Sequence, residues 1–201
     1  MKESFTISQK YRQREVSVLE TALEVFAEYG YRKTCMEDIS SRMGLAVGTL
    51  YRYAHDKQDL YGKAVAYGFS RWQSAAIAAA ETSTDPLQRF RLFCSTAFSY
   101  LQEEPRLRKI LAGDPALFPL VDAKDPFEAI NRRSVDLLQG LIQEGIEAQV
   151  FSVPDSRRAA RILFSLYQLS IEKAYVEESG EEQLVFEQSL DLVLNGLIAR
   201  S

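Results

Sequence analysis

Residues that most enzymes and metal proteins depend on are scarce in this chain. Its 201 residues include one histidine, His55, and two cysteines, Cys35 and Cys94, which lie far apart. No zinc-site spacing, disulfide framework, Walker loop or dinucleotide-binding glycine fingerprint is present. We therefore predict no catalytic residue, no metal and no cofactor. Whether Cys94 is a redox-sensitive thiol or an ordinary buried one stays open.

Segments that would send the chain out of the cell or into a membrane are also lacking. No apolar run approaches the roughly 18 residues of a membrane-spanning helix. The N-terminus, MKESFTISQKYRQR, has no apolar core of the kind found in secretion signals. With 46% hydrophobic and 26% charged residues, the composition is that of an ordinary soluble globular protein. We expect a cytoplasmic protein that makes no membrane contact.

An excess of positive charge is missing as well, since the formal net charge is −4. Residues 1–60 contain nine Lys+Arg and nine Asp+Glu, and residues 61–201 contain 15 and 19. Binding of a nucleic acid would therefore depend on the placement of individual charges, not on bulk charge. Lys10, Arg12 and Arg14 lead into the first predicted helix, whose acids we expect to face away from such a ligand.

The pattern of apolar residues predicts an all-α fold of about nine helices. Strand-like alternation and internal repeats are absent, and all six prolines follow residue 85, each near a break between helices. The sequence predicts helices at roughly 8–29, 47–53, 57–80, 86–102, 105–112, 127–149, 156–178 and 181–200. Another short helix is expected between a cap at Thr34 and Met43. An irregular connection is expected at 113–126.

The most specific stretch, from Thr34 to Asp59, reads TCMEDISSRMGLAVGTLYRYAHDKQD. Thr34 and Glu37 have the spacing of a capping box, which predicts the start of a short helix. Gly44 suits the left-handed turn that ends it. A second short helix follows, and Asp56 is a fitting N-cap for the next one. This order of parts is that of a helix-turn-helix.

In the second short helix, Ala46, Leu50 and Ala54 are spaced by four and are predicted to face inward. The remaining side chains suit a DNA-contacting surface, because hydroxyls bind phosphates, arginine binds phosphate or guanine, and glycine lets the backbone come close. The predicted DNA contacts are Thr34, Val47, Gly48, Thr49, Tyr51, Arg52, Tyr53 and Lys57.

From about Val16 to Tyr67 the chain resembles the DNA-binding domain of the tetracycline-repressor (TetR) family. The matching residues are LETALEVFAEYGYRKTCMEDIS, GLAVGTLYRY and DKQDL. Two positions depart from the family pattern: Ala46 lies where Ser or Thr often caps the recognition helix, and Ala54 lies where Phe is common. The resemblance implies a homodimeric transcription regulator, usually a repressor, released from its operator by a small ligand. It also implies a three-helix DNA-binding domain, at 1–56, and a helical ligand-binding and dimerisation domain, at 57–201.

The last two predicted helices, 156–178 and 181–200, are too apolar for ordinary surface helices. The ninth has apolar residues on more than one face, which would allow one face to pack on the domain and another on a partner. We expect both helices to pair with their copies in a twofold four-helix bundle. The alternative is that both are simply core helices.

Aromatic residues are plentiful after residue 68, and the family architecture implies that some line a pocket for an unknown small molecule. The predicted ligand contacts are Trp72, Phe93, Phe118, Phe127 and Tyr167. Pockets are mainly apolar with a few polar groups, so an apolar or aromatic ligand is favoured. Two other functions remain as alternatives: a helical interaction protein without sequence-specific DNA binding, and an all-helical enzyme, for which no acid–base cluster is visible.

Overall fold

The computed structural model describes residues 2–113, 128–176 and 181–198 and confirms the all-α fold. Within these residues there are nine helices and no strand. They are α1 (Lys2–Tyr29), α2 (Met36–Arg42), α3 (Val47–Leu50), α4 (Lys57–Ala80), α5 (Pro86–Glu103), α6 (Pro105–Gly113), α7 (Glu128–Glu147), α8 (Ser156–Val176) and α9 (Glu182–Leu197). Among these helices none combines the length and the hydropathy needed to cross a bilayer.

Most helix bounds lie within three residues of the prediction, and α4 matches it at both ends. One helix differs more: α1 begins at Lys2, before the predicted start at Ser8. Helix α3 ends three residues early, at Leu50, because Tyr51–Tyr53 form a turn. Most of the predicted connection at 113–126 lies outside the described residues.

The chain divides into two compact units, residues 1–69 and 70–201. The first unit contains α1, α2, α3 and the N-terminal half of α4, so it extends past the predicted boundary at residue 56. Its core is formed by one side of each helix, with Phe26, Ile39, Leu50 and Leu60 almost fully buried. In α1, Val16 is 37% exposed, whereas Val18 is buried.

Two glycines shape the first unit because they take left-handed backbone angles. Gly30, with φ +80°, ends α1, and Gly44, with φ +63°, ends the turn after α2. Other residues are strained at such angles. Both helix ends therefore fall where the sequence predicts them.

In the second unit α5 packs against α6, α7 and α9, and α8 packs against α6 and α7. The C-terminal part of α4 is hydrogen-bonded to α5 through Trp72 and to α7 through Gln73. Asp85 caps α5 by accepting the N–H of Gln88 at 2.8 Å, and Pro86 occupies the first turn. The largest fully buried side chains of this unit are Phe90, Phe98, Leu101, Leu107, Ile142 and Leu194. The Phe98 ring stacks on Phe186 of α9 with 4.0 Å between centroids, so α9 is held on α5.

The connection between α7 and α8 also holds α9 in place. The Phe151 ring lies over Gly145 at a distance that leaves no room for a Cβ atom there. Its edge meets Phe90, with the ring centroids 5.7 Å apart. The N–H of Ser152 donates to the Leu197 carbonyl at 2.7 Å. The last turn of α9 is therefore tied to this connection.

Candidate nucleic-acid interface

The start of α2 is built differently from the prediction. Its N-cap is Cys35, one residue after Thr34, and the reciprocal partner is Asp38, whose carboxylate accepts the Cys35 N–H at 2.7 Å. The predicted Thr34–Glu37 capping box is therefore wrong. The Cys35 thiol also donates to Asp38 at 2.9 Å, which raises the pKa of the thiol and lowers that of the carboxyl.

Thr34 has a structural role instead. Its side chain is 2% exposed, and its hydroxyl donates to the Gly30 carbonyl at 2.9 Å. This bond closes the turn between α1 and α2. The Thr34 hydroxyl is thus used within the unit, and its predicted DNA contact stays a prediction.

Helix α3 begins at Val47, and its N-cap, Ala46, contributes no side-chain cap. Leu50 is fully buried and Ala54 is 3% exposed, as predicted. Ala46 is exposed, contrary to prediction, because it precedes the helix and does not share the inward face. A missing cap costs about 1 kcal/mol of helix stability. The buried Leu50 side chain, not the cap, therefore fixes α3 to the core.

The outward side of this segment is what we call the recognition surface: Val47, Gly48, Thr49, Tyr51 and Arg52. Gly48 and Arg52 are exposed, Val47 and Thr49 are half-buried, and the Tyr51 side chain is 52% exposed. A Cβ atom added at Gly48 would meet nothing within 4 Å. In the described part of the chain, no hydrogen bond or ion pair holds the Arg52 guanidinium. The surface is thus open and carries hydroxyls, a cation and accessible backbone.

Tyr53 is half-buried because its ring stacks on Tyr11 of α1, with 5.2 Å between centroids and 25° between planes. The Tyr11 hydroxyl donates to the Arg52 carbonyl at 3.2 Å. No sequence pattern indicates this packing, since the two tyrosines are far apart in the chain. It fixes the C-terminal end of the recognition surface against α1.

Lys57 is also engaged inside the unit. Its ammonium donates to the carbonyls of Tyr31 and Thr34, both at 3.0 Å, and lies 4.6 Å from the centre of the Tyr31 ring. Two of its three protons are thereby used. These bonds join the first turn of α4 to the loop that precedes α2. The predicted phosphate contact of Lys57 stays a prediction.

The start of α4 is capped as predicted. Asp56 accepts the N–H of Asp59 at 2.8 Å. The Asp59 carboxylate accepts hydrogen bonds from Lys63 and from the N–H of His55, both at 2.9 Å. These bonds, the one from Lys63 first, lower the pKa of Asp59. His55 is exposed and takes part here through its backbone.

Of the predicted ligand contacts, Trp72 and Tyr167 lie together. Their ring centroids are 5.7 Å apart, and the indole N–H and the phenol hydroxyl both donate to the Ala97 carbonyl. Phe93 is 7% exposed on α5. Phe118 and Phe127 lie outside the described residues.

Cys94 lies on the same helix as Phe93. Burial raises the pKa of its thiol to about 12, which disfavours the reactive thiolate of a redox sensor.

A residue that sequence reasoning missed is Gln73, which is 6% exposed on α4. Its Nε2 donates to the Ile130 carbonyl at 3.0 Å and to the Ser134 hydroxyl at 2.8 Å. A carbonyl only accepts, which fixes the orientation of the amide. Gln73 Oε1 then has no hydrogen-bond partner among the described residues. An unpaired buried acceptor is uncommon, and nothing in the sequence pattern marks it.

The outer sides of α8 and α9 expose large apolar residues. On α8, Ile162, Leu166 and Leu169 are 55%, 47% and 47% exposed and lie along one face. On α9, Leu184, Val185 and Leu192 are 55%, 56% and 75% exposed. They lie opposite the buried residues Phe186, Leu190 and Leu194. We call these six exposed residues the apolar face.

Comparison with known proteins finds a matching family model and two curated relatives. A family model described as bacterial regulatory proteins of the tetR family matches residues 18–64. The HTH-type transcriptional activator FasR of Mycolicibacterium smegmatis is 28% identical over 165 residues, which is 81% of this chain and 71% of FasR. The HTH-type transcriptional repressor KstR of Rhodococcus jostii is 30% identical over 104 residues, which is 52% of this chain and 48% of KstR. The match thus spans about half the length of that repressor.

A solved structure shares the fold of most of the chain. It is the transcriptional regulator FadR of Bacillus subtilis in complex with stearoyl-CoA, with a TM-score of 0.76 and 19% identity. The similarity covers 90% of this chain and 98% of FadR. At this level of identity it establishes the common architecture alone.

Proposed function

The chain belongs to the TetR family of bacterial regulatory proteins, and we propose that it binds a palindromic operator as a homodimer and is controlled by a small apolar effector. The observation that carries the proposal is the recognition surface. Leu50 anchors it to the core, while Tyr51 on the next position is 52% exposed. A short segment held in this way is ready to enter a major groove.

DNA contact falls to the recognition surface and its flank. Thr49, Tyr51 and Tyr53 carry hydroxyls that can bond phosphate oxygens, and Arg52 can pair with phosphate or with guanine. Gly48 lets the backbone approach the duplex, with Val47 beside it. Lys57 acts mainly as a positioning residue, because it already joins the loop before α2 to α4. Binding requires no reaction, so we assign no enzymatic activity, and we place the protein in the cytoplasm with the DNA.

Dimerisation follows from the apolar face. Exposed leucine, isoleucine and valine side chains on two neighbouring helices are unfavourable in water and favour a partner with the same chemistry. A second copy provides it by twofold symmetry through α8 and α9. Two recognition surfaces about one turn of DNA apart would read a palindrome.

The effector site is proposed among Trp72, Phe93, Tyr167 and Gln73. The aromatic rings offer an apolar wall, and Gln73 Oε1 offers the one acceptor there that no described residue satisfies. A hydrogen-bond donor on the effector would meet it. FadR binds stearoyl-CoA in its solved structure, so a long-chain acyl-CoA is the first probe to use.

Regulation would work by population shift. The effector would bind more tightly to a conformation in which the two recognition surfaces are wrongly spaced for the operator. Operator affinity then falls by the difference between the effector's binding free energies for the two conformations. Bound DNA weakens effector binding by the same amount. Residues of α4 belong to both units, which supports α4 as the element that would couple them. FasR is an activator and KstR a repressor. We propose repression, which a reporter gene behind the selected operator would test.

Selection of bound fragments from random DNA with the purified protein tests the proposal. The expected result is a palindrome whose half-sites lie about one helical turn apart. Tyr51→Ala should lose this binding and remain a dimer. Stearoyl-CoA, compared with free CoA, should raise the thermal midpoint and release the fragment. If no sequence is enriched, or Tyr51→Ala binds like the parent protein, the chain is a helical interaction protein without specific DNA binding.

A further inference from the structure

Helix α1 has a sharp charge boundary between residues 14 and 15. Residues 9–14 read QKYRQR and contain three cations and no acid, whereas every charged residue from Glu15 to Glu28 is an acid. The side chains of Lys10, Arg12 and Arg14 are exposed. A helix with one basic and one acidic stretch presents very different surfaces to a polyanion.

The basic stretch is the one that contacts the recognition surface. Tyr11 lies in the middle of it, and Tyr11 is the residue that stacks on Tyr53 and donates to the Arg52 carbonyl. Around the helix axis, residues 10 and 12 lie about 100° to either side of Tyr11, and residue 14 lies about 60° from it. The three cations therefore surround the contact with the end of the recognition surface.

These cations are also available to a ligand. Within the described residues, no salt bridge or hydrogen bond engages the side chain of Lys10, Arg12 or Arg14. By contrast, Arg42 in the same unit is paired with Glu28 at 2.7 Å. Three exposed cations within residues 10–14 of one helix repel one another in the free protein. A row of phosphates would relieve that repulsion.

We propose that residues 9–14 of α1 are a second DNA-binding element, which holds backbone phosphates flanking the bases that the recognition surface reads. The inference rests on the proposed function. The element contributes affinity without sequence information, because lysine and arginine bound to phosphate do not distinguish bases. It also explains how a unit with balanced charge over residues 1–60 can hold DNA. The acids from Glu15 onward confine the contact to the basic stretch of α1.

The test uses two full-length triple variants with the same change of charge. One is Lys10→Gln/Arg12→Gln/Arg14→Gln. The control is Lys109→Gln/Arg133→Gln/Arg157→Gln, three exposed cations of the second unit. Affinity for the selected fragment is measured over a range of salt concentrations, and hydroxyl-radical footprints are recorded. Thermal midpoints of both variants should stay at that of the parent protein, because all six side chains are exposed.

The first variant should bind at least tenfold more weakly at ~0.15 M salt, and its slope of log K against log salt should fall by about 0.9 for each phosphate that it no longer neutralises. Its footprint should lose protection at the outer flanks and keep it over the central bases. The control should keep the slope and the footprint. Tyr11→Ala, which frees the element from Tyr53, should lose the same flanking protection while keeping all three cations.

Each result decides one question. An unchanged slope and footprint in the first variant would show that the three cations are solvated surface, even though the protein binds DNA. Equal losses in both triple variants would show a bulk charge effect and would also overturn the proposal. If the parent protein selects no DNA, the proposed function itself fails, and this is seen before any variant is made.

Discussion

The two units differ in the kind of surface that they expose to solvent. In residues 1–69 the starts of α2 and α4 are closed within the unit: Cys35 pairs with Asp38, Asp56 caps α4, and Lys57 binds two loop carbonyls. In residues 70–201 a core of large apolar side chains is also buried, but α8 and α9 leave an apolar face in solvent.

The difference shows what each unit requires from outside. The first unit closes the starts of α2 and α4 by itself and leaves a polar recognition surface with a cation, Arg52, which is complementary to a polyanion. The second leaves apolar area, whose burial is worth about 25 cal/mol per Å² and which only another apolar surface can cover. Under the proposed function, DNA binds the surface of the first unit and a second copy of the chain covers the apolar face of the second. Substitutions at matched positions in the two units can test DNA binding and dimerisation separately.

The largest effect is expected from Leu192→Glu on the apolar face. Leu192 is 75% exposed, so in a monomer the change would alter stability little. In a dimer it would bury an unpaired carboxylate in each copy, at a cost of about 3 kcal/mol or more. We expect the dissociation constant to rise at least about a hundredfold, measured by sedimentation across protein concentrations.

Val16→Glu is the matched control in the first unit, because Val16 is an apolar α1 residue with 37% exposure. It should leave the dimer intact. A parent protein that sediments as a monomer at micromolar concentration, or a Leu192→Glu protein as dimeric as the parent, would contradict an interface through α8 and α9.

Glycine substitutions should differ in sign between sites. A Cβ at Gly145 would lie 2.1 Å from Phe151 Cδ2, in a ring that is 3% exposed and packed against Phe90. Gly145→Ala should therefore lower the free energy of unfolding by about 3 kcal/mol. Gly140→Ala on the same helix meets nothing within 4 Å and should raise it by about 1 kcal/mol. Urea denaturation measures both; equal signs would contradict the packing of Phe151 on α7.

Gly48→Ala tests the same kind of change on the recognition surface, because Gly48 also has open space around it. Stability should rise by about 0.5–1 kcal/mol while affinity for the selected DNA falls. Urea denaturation and DNA titration measure the two effects. A gain in stability without any loss of affinity would show that the backbone at Gly48 does not approach the duplex.

The sequence predicts best those features that depend on neighbours in the chain. Helix α4, the left-handed Gly44, the buried Leu50 and the Asp56 cap all follow from residues within one or two turns. The capping-box prediction for Thr34 is wrong because its hydroxyl bonds to the Gly30 carbonyl, and Cys35 caps α2 instead.

Contacts between distant helices are what the sequence does not show. Tyr53 and Gln73 have partners at Tyr11 and Ile130, and no local pattern marks such pairs. The apolar face is an intermediate case. The excess of apolar residues in α8 and α9 predicts that such a face exists, but the packing of the second unit decides which residues it exposes.

A smaller effect is expected from Lys57→Met, which keeps the aliphatic stem but removes the bonds to Tyr31 and Thr34. The free energy of unfolding should fall by about 1–2 kcal/mol, measured in urea. The salt dependence of DNA binding should not change. Lys33→Met removes an exposed cation near the same loop and should leave stability unchanged. A salt slope that falls by about 0.9 in Lys57→Met would instead show that Lys57 holds a phosphate.

The smallest effect concerns pH and Asp59. Hydrogen bonds from Lys63 and from the His55 N–H lower the pKa of its carboxyl in the folded protein. Its ionised form therefore stabilises the fold above the unfolded pKa of about 3.9, and this contribution is lost as pH falls through the lower folded value. Asp59→Asn should lower the thermal midpoint slightly at pH 7, and the difference should vanish near ~pH 2. Asp136→Asn, an exposed control on α7, should show no difference at either pH. A difference for Asp59→Asn that persists in acid would mean that shape, not charge, explains the role of Asp59.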